Sequence, residues 1–97
     1  MSSLVELNGP FNERLNEGDL VRFVTEGGRQ KVGFYLSEDG VKTFSRNYPK
    51  TGRRGECFEI YYHEFQTNKN ILKADCESVE EGKEVATHYE IISRNED

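Results

Sequence analysis

The sequence predicts a mainly β fold. It reads as a single small domain spanning residues 1–97, with five to seven short antiparallel strands in an SH3-like or OB-like barrel or a strongly bent sheet, and room for one short helix. Three observations carry this. Apolar and polar residues alternate through RQKVGFYL, residues 29–36. The stretch CFEIYYHEFQ, residues 57–66, is dense in aromatic side chains. Gly, Asn and Asp recur between such stretches at short intervals, which is turn chemistry.

A chain of 97 residues supports one domain. It buries roughly 60–65% of its unfolded surface, enough for one modest core without staples. Hydrophobic residues make up 34% and charged residues 32%, so the aromatics must supply much of that core. They are six Phe and five Tyr, with no Trp.

Along the chain, residues 1–18 form a lead-in. Asn8-Gly9-Pro10 and Glu17-Gly18-Asp19 are turns, with space between them for at most one helical turn. DLVRFVT (19–25) is β-branched and aromatic, a strand signal. EGG (26–28) supplies glycines able to take positive φ in a tight turn. In 29–36 the alternation places Val32, Phe34 and Leu36 on one face and Lys31, Gly33 and Tyr35 on the other. SEDG (37–40) turns the chain into VKTFSR (41–46), a third strand. The long stretch 57–66 has apolar residues on both faces and reads as a central strand. TNKN (67–70) is a turn before the strand ILKAD (71–75). Ser78 and Glu81 fit a capping box that opens a short helix, whereas VATHYEIIS (85–93) reads as a closing strand. Residues 94–97 are a frayed end. Phe34, Phe58, Ile60 and Tyr62 sit mid-strand and are the expected core.

The chain has two cysteines, Cys57 and Cys76, fewer than a disulfide framework uses, so reduced thiols in the cytosol are expected and a bridge is not required. The start of the chain has neither a basic run nor an apolar run, so no signal peptide is expected. No apolar run is long enough to span a membrane.

Residue patterns for catalysis or metal binding are sparse. Cys57, His63, Cys76 and His88 are separated by 5, 12 and 11 residues, without the close pairs that structural zinc sites use. Cys57 and His63 share a strand face about 20 Å apart, too far for a thiol–imidazole pair. No phosphate-loop or dinucleotide fingerprint occurs. These patterns imply no cofactor, no metal and no enzymatic activity.

Charge is the more informative signal. The net charge is -5, yet between Arg22 and Arg54 there are eight bases and three acids; the rest of the chain has five bases and fifteen acids. RNYPKTGRRG, residues 46–55, holds four bases and no acid. Such polarity steers encounter with a partner of complementary field. The expected function is a small non-enzymatic interaction module that binds another protein, with Arg46, Tyr48, Lys50, Arg53 and Arg54 as binding residues, since Tyr and Arg dominate hot spots. One alternative is a nucleic-acid-binding module that uses the same basic loop, where Arg forks meet phosphates and Tyr stacks on bases. A further alternative is an acidic-surface inhibitor of a nucleic-acid enzyme, using Asp75–Asp97, where eight acids face two bases.

Overall fold

The computed structural model describes residues 3–38, 41–47, 56–63, 68–74 and 83–95. Seven strands run through them: β1 (Val5–Glu6), β2 (Leu20–Thr25), β3 (Gln30–Glu38), β4 (Val41–Ser45), β5 (Cys57–His63), β6 (Lys69–Ala74) and β7 (Glu84–Ser93). Each strand from β2 to β7 pairs antiparallel with the next, and β7 returns to pair with β2. The result is a closed six-strand barrel of up-and-down order, with β1 as an extra strand. Closure satisfies most of the main-chain groups that an open sheet would leave at its edges, although β4 accompanies β3 only from Phe34 onward.

β7 makes the closure. One edge lies along β2, from Ala86 to Ser93. The other edge takes β6 at Glu84–Ala86 and then β1 at His88–Tyr89. A register shift opposite Val24 and Thr25 leaves Thr87 unpaired with β2, and the strand switches face there. Ala86 and Tyr89, three apart, are therefore both buried.

The interior is a cluster of rings and aliphatic side chains: Val21 and Phe23 from β2, Phe44 from β4, Phe58 and Ile60 from β5, Leu72 from β6, with Ala86, Tyr89 and Phe11. Phe44 and Phe58 stack at 5.3 Å between centroids, and Phe23 meets both edge-on, at 5.1 and 6.1 Å. These are favourable aromatic geometries. A Cβ at Gly33 would come within 2.8 Å of the Phe44 Cβ and 3.1 Å of Phe58 Cε1. The stacked pair thus occupies the space a side chain at position 33 would need, and β3 presents Gly33 to it.

This corrects part of the expected core. Phe58 and Ile60 are buried as expected. Phe34 is only half-buried and lies outside the core cluster, because the Gly33 face of β3 is the one that looks inward. Tyr35, on the Gly33 face, packs against the core and meets Phe44 at 5.6 Å. Tyr62 is half-buried rather than core. Lys69 and Asn70, expected in a turn, begin β6. The EGG turn forms, with Gly28 at a φ of 81°. The expected short helical turn at 78–84 lies mostly outside the described residues; of its described part Glu84 begins β7, and among the described residues no helix occurs.

The lead-in is structural. Phe11 is buried and meets Phe23 and Tyr89 edge-on, at 5.3 and 5.0 Å. Asn70, itself buried, accepts a hydrogen bond from the Phe11 N–H (2.9 Å) and donates one to the Gly9 carbonyl (2.8 Å). The Lys42 ammonium donates to the carbonyls of Phe11 and Glu13 (3.3 Å each) and sits over the Phe11 ring. The Tyr89 hydroxyl donates to Glu13 (2.6 Å). Asp19 is fully buried; it accepts from the N–H of Asn16 (2.8 Å), the N–H of Asn95 (2.6 Å) and the Arg94 guanidinium (3.1 Å). Residues 7–19 therefore plug one end of the barrel, and the chain at Arg94–Asn95 is bound over them.

Burial pushes the Asp19 carboxyl up, but the two main-chain donors and Arg94 outweigh it and hold the group below its ordinary value of 3.8. Burial lowers the Lys42 ammonium, with Glu13 opposing. Burial, followed by the bond to Glu13, raises the Tyr89 phenol to about 12. A depressed carboxyl contributes stability in full above its unfolded value and loses it as pH falls through the folded value. A raised phenol contributes in full below 10.0 and loses it as pH rises through about 12. The plug is thus most secure between these windows.

Two tests follow. Ile60→Ala should lower stability by about 2–4 kcal/mol through lost burial and a residual cavity. Phe34→Ala should lower it clearly less, and Gly33→Val should lower it by about 1–3 kcal/mol through overpacking. Urea midpoints check all three, and Phe34→Ala matching Ile60→Ala would reverse the facing of β3. Asp19→Asn should cost about 1.5–3 kcal/mol at neutral pH, because bonds to a charged acceptor are lost. Its stability should also fall less steeply than the wild type's as pH drops below 3.8; parallel acid limbs would show that Asp19 does not carry the linkage.

Candidate interaction surface

In an up-and-down barrel, successive connections alternate between the two ends. The plug covers the end at which β3 runs into β4 and β5 into β6. The opposite end collects three junctions: the β2–β3 turn, the end of β4 with the start of β5, and the end of β6 with the start of β7. The expected binding residues flank or fall between the second pair. Arg46 is described. Tyr48, Lys50, Arg53 and Arg54 lie outside the described residues.

This end carries a cleft of about 730 Å³. Its apolar lining includes Leu20, Val32, Phe34, Phe58 and Ala74. Val32 is 39% exposed, an unusual position for a valine in mid-strand. Both Val32 and Phe34 are here because the Gly33 face of β3 is turned to the core.

Cationic groups border the apolar lining. Arg46 lines the cleft; its side chain is 73% exposed and it pairs with Glu56 at 3.5 Å. Main chain supports that pair, since the Arg46 N–H donates to the Glu56 carbonyl at 3.0 Å and extends the β4–β5 ladder by one step. Lys31 lines the cleft and lies 5.8 Å from the centre of the Phe58 ring. Arg29, on the turn beside it, is 78% exposed. Arg29 and Lys31 approach Glu84, the first residue of β7, at 3.7 and 3.8 Å. The pairs of Arg29, Lys31 and Arg46 are longer than charge-assisted hydrogen bonds, so these cations hold partners loosely.

Sequence reading missed Arg29, Lys31, Val32 and Phe34 as members of one surface. Lys31 and Arg29 were visible only as part of the basic middle of the chain. The closure of the barrel brings them beside Arg46 and Glu84.

Among the described residues, the groups with displaced ionisation, Asp19, Lys42 and Tyr89, all belong to the plug at the far end. Each has polar atoms bonded to the lead-in or to Arg94–Asn95, so they act as fastenings. Among the described residues no group of three or more His, Cys, Asp or Glu side chains is arranged to hold a metal ion. His63 and His88 are half-buried strand residues, and the His88 ring contacts the Thr87 hydroxyl at 2.9 Å. Cys76 lies outside the described residues, and with it the question of a bridge to Cys57. Among the described residues no helix is long and apolar enough to cross a membrane. Comparison of the chain with family models, with curated proteins and with solved structures finds no match.

Proposed function

We propose that the protein is a small non-enzymatic interaction module that binds another protein through the unplugged end of its barrel. One observation carries this reading: the cleft at that end joins an apolar lining to exposed cations, Arg29 and Arg46 above all. Apolar area supplies affinity, while the charges set register and speed encounter. The sequence adds to the polarity. Lys50, Arg53 and Arg54 fall between Arg46 and Glu56, and Asp75, Glu77, Glu80 and Glu81 fall between Ala74 and Glu84. Among the described residues, the basic Arg29, Lys31 and Arg46 and the acidic Glu56 and Glu84 share this end. Protein surfaces offer mixed charge of this kind, whereas a nucleic acid offers one sign.

A second reading, a nucleic-acid-binding module, is favoured by the two exposed guanidiniums and the adjoining basic stretch. The chain's net charge of -5 and Glu84 beside Arg29 oppose it.

Replacing Arg29 and Arg46 together with Ser should change stability by under about 0.5 kcal/mol, since both side chains are largely exposed. Affinity chromatography with wild type and the double variant should show a protein that the first retains and the second loses, with the association rate as the more affected constant. Unchanged retention by the variant would remove this end from the interface. A short single-stranded oligonucleotide, titrated at two salt concentrations, separates the readings. If it binds, and the double change flattens the log–log salt slope by about 1.4, two phosphate contacts, the nucleic-acid reading replaces the first.

A further inference from the structure

β3 has a strand on both sides for only part of its length. β2 accompanies it from Gln30 to Phe34, but β4 joins only at Phe34 and continues to Glu38. Over Gln30–Gly33 the edge turned away from β2 therefore has no strand beside it among the described residues. The cleft follows that edge: Gln30, Lys31, Val32 and Gly33 form one wall, and Arg46 and Cys57 belong to the lining contributed by the β4–β5 junction.

An uncovered stretch of strand presents main-chain donors and acceptors at ladder spacing, a template for another extended chain. We propose that this cleft accepts an extended segment of a partner protein by strand addition along Gln30–Gly33, and that the segment alternates aliphatic and acidic residues. The proposal rests on the protein-binding reading above and specifies its ligand. Alternation follows from strand geometry, in which successive side chains point to opposite sides. One set meets Val32, Phe34 and Leu20; the other meets Arg29, Lys31 and Arg46. Acidic residues match because, among the described residues, those three cations meet Glu84 and Glu56 at 3.5 to 3.8 Å, and a carboxylate at hydrogen-bond distance improves on such contacts. A nucleic-acid strand would also meet the cations, but it has no repeating N–H and C=O with which to complete the β3 ladder.

The test uses the full chain and a blocked heptapeptide of alternating Val and Glu, Val at both ends. Amide hydrogen exchange is followed residue by residue. In the free protein, alternate amides within Gln30–Gly33 point away from β2 and should exchange fast. At a free peptide concentration ten times its Kd they should slow by roughly tenfold, while amides already bonded to β2 change little. Two versions of the peptide, one N-methylated on its Val residues and one on its Glu residues, keep charge and side chains; a ladder on one edge uses one alternate set of N–H groups, so one version should bind and the other should fail. A Val–Lys peptide should also fail. Binding of the Val–Glu peptide without protection of these amides, or equal binding of the two methylated peptides, would overturn strand addition while leaving this end as a protein-binding surface. No binding of the Val–Glu peptide at millimolar concentration would overturn the proposal too. The protein-binding reading falls separately, if the Arg29 and Arg46 double variant retains every partner of the wild type.

Discussion

The stacking of Phe44 on Phe58 against the bare backbone of Gly33 governs how β3 is presented. A six-strand barrel has a narrow interior, and these two rings with Phe23 fill its middle. No side chain fits at position 33 without moving the Phe44 Cβ or the Phe58 ring. The alternation of the strand then leaves Val32 and Phe34 no route into the core. Val32, which would ordinarily be counted toward folding, is left 39% exposed, and Phe34 is left half-buried beside it. The proposed binding surface is, on this view, a consequence of how the core is packed.

The two ends of the barrel are finished differently. At one, residues 7–19 are bound through Asn70, Lys42, Tyr89 and Asp19, with Arg94 and Asn95 holding the far end of β7 in place. A buried carboxylate such as Asp19 is tolerated because its donors are main-chain N–H groups and a guanidinium already positioned by the fold. At the other end, the ion pairs of Arg29, Lys31 and Arg46 are longer, and the two guanidiniums are largely exposed, so those pairs contribute little to stability. Tightly bonded charge marks the end that holds the fold together. Loosely bonded charge beside apolar surface marks the end we propose for binding.

This division also bears on which charged region matters. The basic middle and the acidic last third look like rival surfaces when the chain is read linearly. Among the described residues the meander brings Arg29, Lys31 and Arg46 to the same end as Glu84, because the β2–β3, β4–β5 and β6–β7 junctions alternate with those at the plugged end. A surface of paired opposite charge flanking an apolar cleft suits selection among protein partners, where mismatched charge is a strong rejecting term.

The sequence by itself determined the class of fold and the existence of most strands. Alternation in RQKVGFYL, the aromatic run from Cys57 and the EGG turn each carry a local physical signal, and each element forms where that signal lies. It did not determine which face of β3 looks inward. Both faces carry apolar residues, and the choice depends on Phe44 and Phe58, which are distant in sequence. Nor did it show that the lead-in belongs to the core, since Phe11 has no periodic neighbours and is held by Asn70, fifty-nine residues away. The same holds for the site. Arg46 stood out within a basic run, but its company with Arg29, Lys31, Val32 and Phe34 arises only when β7 closes on β2 and the connections gather at one end. Local pattern sets what each segment becomes; long-range closure, where the steric limit at Gly33 acts, decides which side chains are left facing outward.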